Sequence, residues 1–80
     1  MSTLSVRVEP LATDVEVTKT ALRVVLADGR EISVPLAWFP RLQEATTKQR
    51  RGWRLIGGGI GIHFPEVDED ISVESLLAVS

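Results

Sequence analysis

The run Gly57-Gly58-Gly59-Ile60-Gly61 constrains this chain more than any other stretch, because it holds four of the six glycines in 80 residues. Strand-like segments flank it, Trp53-Arg54-Leu55-Ile56 before and Ile62-His63-Phe64 after, so it reads as the turn of a hairpin. Closing that turn at Gly57-Gly58 pairs Leu55 with Ile60 and Trp53 with Ile62. Trp53, Leu55, Ile60, Ile62 and Phe64 then share an apolar face. The opposite face carries Gly52, Arg54, Ile56, Gly59, Gly61 and His63, half of them without side chains. Glycine inside a strand marks close approach by another backbone or by a ligand. A phosphate-cradling role for the run is not supported, since neither a GK[ST] sequence nor a helix follows it.

The first half of the chain predicts a second hairpin. Asp14–Thr18 alternates and predicts a strand with Val15 and Val17 on its buried face. Ahead of it, residues 1–13 alternate loosely at Leu4, Val6 and Val8, as an edge strand or a frayed end would. For Ala21–Pro35, a two-residue Asp28-Gly29 turn would set Leu26 opposite Glu31 and Val24 opposite Ser33. A three-residue loop, Ala27-Asp28-Gly29, instead gathers Leu22, Val24, Ile32 and Val34 on one side. The second register is the prediction, with Gly29 in the left-handed conformation of a bulged turn.

Helical signals are short. Pro40 suits a first helical turn, and Leu42 and Ala45 follow at helical spacing, which predicts a helix over Pro40–Ala45. Trp38 and Phe39 are expected to anchor it on the sheet. A further turn over residues 47–51 would be capped by Thr47. Pro65 ends the second hairpin, residues Glu66–Asp70 form an acidic loop, and Ile71–Leu77 reads as a helix. Ser72 caps that helix, Glu74 lies in its first turn, and Ile71 staples to Leu76. The sum is an α+β fold: a small, mostly antiparallel sheet of about five strands in two hairpins, with two short helices on one face.

Composition narrows the partners. An 80-residue chain has room for one domain, 1–80, and a core of that size leaves a margin of only ~3–5 kcal/mol. Without cysteine there is neither a disulfide nor a thiolate, and a single histidine leaves only carboxylates as metal ligands. No cofactor is expected, and a partner protein or a second copy is the supplement that remains. A net charge of −2 argues against general nucleic-acid binding. With no signal-peptide pattern and no membrane-spanning run, the chain reads as cytoplasmic.

The segments DVEVT (14–18), LADGREISVPLAWFPRL (26–42) and WRLIGGGIGIHFPEVDEDISVESLL (53–77) resemble the bacterial family catalogued as domain of unknown function 2442. The resemblance spans residues 12–79, with Phe64 where tryptophan is expected and Ser75 where glycine is expected. It implies a small α+β fold that in longer relatives precedes a helix-turn-helix; DNA binding by that module is not carried over to these residues. It also implies an antitoxin-like or accessory subunit whose partner is encoded by a neighbouring gene. No enzymatic residue set comes with it.

Three groups of polar residues remain. His63 beside Arg54, with Asp68–Asp70 nearby, is the arrangement a small-ligand or acid–base site would use, although a surface histidine next to a charge-balancing arginine is the simpler reading. Glu66, Asp68, Glu69 and Asp70 lack the ligand spacing of a calcium loop and read as solvated. Lys48, Arg50, Arg51 and Arg54 make a basic run around Trp53, a minimal nucleic-acid signature offset by the adjoining acids. The expected function is therefore non-catalytic: partner binding through Arg54, Gly59, Gly61, His63, Glu66, Asp68, Glu69 and Asp70.

Overall fold

A computed structural model describes residues 10–78. They form β1 (Ala12–Val17), β2 (Ala21–Leu26), β3 (Glu31–Pro35), a 3-10 turn over Leu36–Trp38, α1 (Pro40–Gln43) and α2 (Thr47–Arg51). After these come β4 (Arg54–Ile56), β5 (Gly61–Phe64), β6 (Glu69–Ser72) and α3 (Val73–Ala78). The α+β class holds, but the single sheet of about five strands is corrected to two three-stranded antiparallel sheets, β1-β2-β3 and β4-β5-β6. Residues 1–9, with the Leu4, Val6 and Val8 alternation, lie outside the described residues.

The first sheet follows the predicted register. Leu22 faces Val34 and Val24 faces Ile32, and the loop is closed by Leu26 N–H donating to the Arg30 carbonyl at 2.8 Å. Gly29 has φ +94°, which an L side chain rarely adopts. Asp28 completes the turn by accepting from the Arg30 backbone at 3.0 Å and its guanidinium at 2.7 Å. The backbone bond above all holds the Asp28 carboxyl below its ordinary pKa. Val15 and Val17 do turn to the core, Val15 buried and Val17 packed beside it. The strand starts earlier than its alternation implies because the register shifts between Ala12 and Asp14. This bulge lets Ala12 and Val15 both point inward despite their odd spacing.

The second hairpin is two residues out of the predicted register. Leu55 faces Ile62, Arg54 faces His63 and Ile56 faces Gly61, so the turn is the four residues 57–60. A shift of two preserves the faces, and Leu55, Ile62 and Phe64 still look inward with Trp53 packed alongside. The wider turn is imposed by contacts outside the hairpin. The Gly59 carbonyl accepts from Ala12 N–H at 2.8 Å, and the Ile60 carbonyl accepts from Val73 N–H at 3.0 Å. Ile60 thereby leaves the core face and stands 49% exposed.

The acidic loop is also corrected, because its second half is strand β6. Ile71 sits opposite Ile62 and Glu69 opposite Phe64. Poor intrinsic strand propensity of Glu and Asp gives way here to burial of Ile71 against a strand already in place. The helix after it begins at Val73, directly after its expected cap. Ser72 remains its cap, within 3.4 Å of the Ser75 N–H. Leu76 reaches the core, whereas Leu77 is 39% exposed.

The middle helices differ in detail. The cap of α2 is Thr46 and not Thr47: Thr46 Oγ1 accepts from Gln49 N–H at 3.1 Å and Gln49 Oε1 accepts from Thr46 N–H at 2.9 Å. This reciprocal pair needs an acceptor side chain three residues after the cap, and Thr47 would have Arg50 there. α1 ends at Gln43, short of Ala45. Trp38 is exposed, and Leu36 with half-buried Phe39 does the anchoring. The helices do not share one sheet face, since α2 lies against β1 and α3 against β3 and β6.

One core joins the sheets. Leu22, Val24, Val34, Leu36 and Leu42 meet Ile62, Phe64, Ile71, Val73 and Leu76 in a single buried cluster. At the top of that junction, a Cβ on Gly59 would lie 2.5 Å from the Ala12 carbonyl oxygen and 2.9 Å from its nitrogen, at φ +112°. Neither backbone atom can swing aside. Gly58 has φ +71° with nothing within 4 Å of the same position. Gly59→Ala is therefore expected to cost about 2–4 kcal/mol, and Gly58→Ala about 1 kcal/mol. Urea denaturation midpoints of the two variants measure the difference, and equal costs would mean that Gly59 is not jammed against β1.

Candidate functional site

The outer face of the second sheet brings half of the expected site residues together. Cross-strand pairing sets Arg54, His63 and Asp70 in one row and Ile56, Gly61 and Ser72 in the next. Because side chains alternate along a strand, the five of these residues other than Gly61 direct their side chains away from the core. His63 Nδ1 contacts Asp70 Oδ1 across β5 and β6, with the histidine side chain 28% exposed and the aspartate 70%. Arg54 flanks His63 on the other side and makes no ion pair among the described residues.

The neighbouring row forms a shallow apolar groove of about 390 Å³, bordered by Ile56, Ile60, Gly61, Asp70 and Ser72. Gly61 makes it possible. A Cβ there would meet Ile56 Cγ1 at 3.0 Å and Cδ1 at 3.1 Å, so Ile56 leans across the space a side chain would fill. Ile56 is nonetheless 45% exposed and Ile60 49%. The first sheet treats its outer face differently. There Arg23 bonds to Glu16 at 3.1 Å and Glu31 at 2.7 Å, and the bond to Glu31 above all raises the arginine pKa. The first sheet's outer face is covered by ion pairs, whereas the second exposes two isoleucines beside its row of polar residues.

The remaining candidates lie elsewhere. Gly59 is buried against the chain's own first strand and presents nothing outward. Glu66 reaches back toward Gly52, its Oε2 3.5 Å from where a Cβ would stand. Asp68, at φ +54°, occupies the turn before β6 and gives its carbonyl to Arg41 at 2.8 Å. Glu69 alternates to the opposite side from Asp70. No three His, Cys, Asp or Glu side chains converge on a metal-sized space among the described residues.

Of the basic run, Arg50 is occupied within the fold. Its Nε donates to the Leu42 carbonyl at 2.9 Å and its terminal nitrogen to the Gln43 carbonyl at 2.7 Å, closing the end of α1. Lys48 and Arg51 are exposed on α2, and Arg54 lies on the sheet face instead. Sequence reasoning placed Ile56 on this face without counting it as a site residue, and missed Ile60 and Ser72. The turn geometry that exposes Ile60 had no local signal.

The profile of the family described as "Protein of unknown function (DUF2442)" matches residues 12–80. A crystal structure of a protein of unknown function from Rhodospirillum rubrum is similar, with a TM-score of 0.73 and 26% sequence identity. The match covers 88% of this chain and 87% of that one. No curated protein matches the chain. No described helix is long and apolar enough to cross a membrane.

The roles of the arginines separate in stability. Removing Arg50 leaves two carbonyls at the end of α1 without their charged donor, so Arg50→Ala is expected to cost about 1.5–3 kcal/mol in urea denaturation. Arg51→Ala is expected to stay within about 0.5 kcal/mol of the parent. A neutral Arg50→Ala would return that residue to the pool of free surface cations.

Proposed function

The chain belongs to the DUF2442 family, and from that footing we propose that it is a non-catalytic interaction module which binds a partner protein through the outer face of its second sheet. The observation that carries this reading is the pair of exposed isoleucines, Ile56 and Ile60, bordering a groove over Gly61. Exposed aliphatic side chains that gather around a concavity, bordered by Asp70 and Ser72 and with Arg54 and His63 in the adjoining row, have the make-up of a docking surface: an apolar centre with polar groups at its edge. The ion-paired outer face of the first sheet is the internal contrast, since both sheets have three strands and only the second leaves large aliphatic side chains exposed.

The partner class follows the family resemblance: an antitoxin-like or accessory subunit acting with the product of a neighbouring gene, in the cytoplasm. The Glu66–Asp68 turn lies away from the groove, so the surface relevant to binding contracts to Arg54, Ile56, Ile60, Gly61, His63 and Asp70.

A second reading places a small-ligand or catalytic site at His63. Its support is the His63–Asp70 contact, an aspartate orienting an imidazole as acid–base chemistry requires. Against it, Asp70 is the single ionisable residue bordering the groove, and it is 70% exposed. Asp68, one of the expected members, lies in the turn before β6, where its backbone carbonyl accepts from Arg41, and does not border the groove. A nucleic-acid role has less support still, because Arg50 is committed to α1.

Co-expression with the neighbouring gene product followed by calorimetric titration tests the first reading. Ile60→Asp is expected to weaken the complex about tenfold or more without altering the far-ultraviolet circular dichroism. No complex, or one indifferent to Ile60→Asp and Ile56→Asp alike, would remove this face from consideration.

A further inference from the structure

We propose that a second copy of this chain occupies the same face, in a two-fold dimer whose axis runs along β5. The proposal rests on reading that face as a protein-docking surface, and it names the occupant. A two-fold contact uses one patch twice, so the patch must complement itself. This one does. It carries a cation at one flank, Arg54 on β4, and an anion at the other, Asp70 on β6, with β5 between them. Asp70 gives one oxygen to His63 and remains 70% exposed.

The direction of the axis follows from the charges. An axis parallel to β5 lays β4 of one copy over β6 of its partner while keeping each residue at its own height along the strand. Arg54 then faces Asp70 of the opposite copy, and Asp70 faces Arg54, so the contact is made twice. An axis lying across the strands through that row sets Arg54 over Arg54 and Asp70 over Asp70, which opposes like charges, and one displaced from it leaves both without a partner charge in the row. Between these two, electrostatics selects the first.

Shape agrees with the same axis. Ile56 stands on the β4 side of the face, and the groove opens between it and the Asp70–Ser72 side. Turning the second copy about β5 carries its Ile56 over that groove, and Gly61, on the central strand, comes opposite Gly61. Each copy supplies one ridge and one hollow. The absence of a side chain at Gly61 lets Ile56 lie low over the central strand, which accounts for a glycine in the middle strand of the sheet.

Size sets the strength. Three strands ~4.8 Å apart and three residues ~3.3 Å long each offer a patch of roughly 14 by 10 Å. Even with the turn added, this is well below the ~800 Å² per partner of a standard stable interface. The dimer is therefore a reversible one, with a dissociation constant between about 10 µM and 1 mM.

Sedimentation velocity and nitrogen–proton NMR spectra across ~0.01–2 mM of the intact chain test it. The expected result is a concentration-dependent monomer–dimer equilibrium with amide shifts confined to residues 54–63 and 70–72. Arg54→Glu alone and Asp70→Arg alone are each expected to weaken it about tenfold or more, while the double variant recovers affinity to within about threefold. Circular dichroism verifies that all three fold. A monomer throughout the range overturns the proposal, as does a dimer that the single reversals leave intact or the double reversal fails to restore. If the parent stays monomeric and Ile60→Asp still weakens the neighbouring gene product's binding, the dimer falls and the docking reading stands. If the dimer obeys the charge reversals and that gene product ignores the face, the dimer stands and the hetero-partner reading falls.

Discussion

The contact of Gly59 with Ala12 is the constraint on which the arrangement of the two sheets depends. Backbone touches backbone there: Ala12 N–H donates to the Gly59 carbonyl, and no side chain fits between the strands. One residue on, the Ile60 carbonyl receives Val73 N–H and ties the same turn to the start of α3. A single four-residue turn thus meets the first strand and the last helix. The positive φ at Gly57, Gly58 and Gly59 is what bends the chain through both contacts.

This anchoring has a consequence for the surface. Pulled toward β1 and α3, the turn cannot fold Ile60 back over Leu55, so an aliphatic side chain that a tighter hairpin would bury is turned outward. Ile56, paired with a glycine, meets no bulky neighbour across the strand and leans over Gly61 instead. The apolar groove is in this sense a product of the same backbone contacts that join the sheets. Structure and candidate function share their cause.

Much of the fold was legible in the chain. The register of the first hairpin followed from requiring that Leu22, Val24, Ile32 and Val34 share a face, a requirement that burial enforces wherever one side of a sheet is dry. Ser72 was legible as a helix cap, and the cross-strand grouping of Arg54, Gly61 and His63 survived the register error because a slip of two residues leaves every side chain on its own face. Thr46 was legible too, had the acceptor side chain of Gln49 been weighed against Arg50. What could not be read locally was strand β6, since Glu69 and Asp70 favour a loop until Ile71 has Ile62 to pack against.

The sequence by itself determined the α+β class, the faces of its strands and the place of most turns, because these depend on periodicity and on backbone preferences within a few residues. Only the tertiary structure decided that there are two sheets, that Gly59 is spent inside the molecule while Gly61 shapes its surface, and that His63 meets Asp70. Those outcomes turn on which distant backbone arrives at a given glycine, and an amino acid without a side chain carries no record of what lies against it.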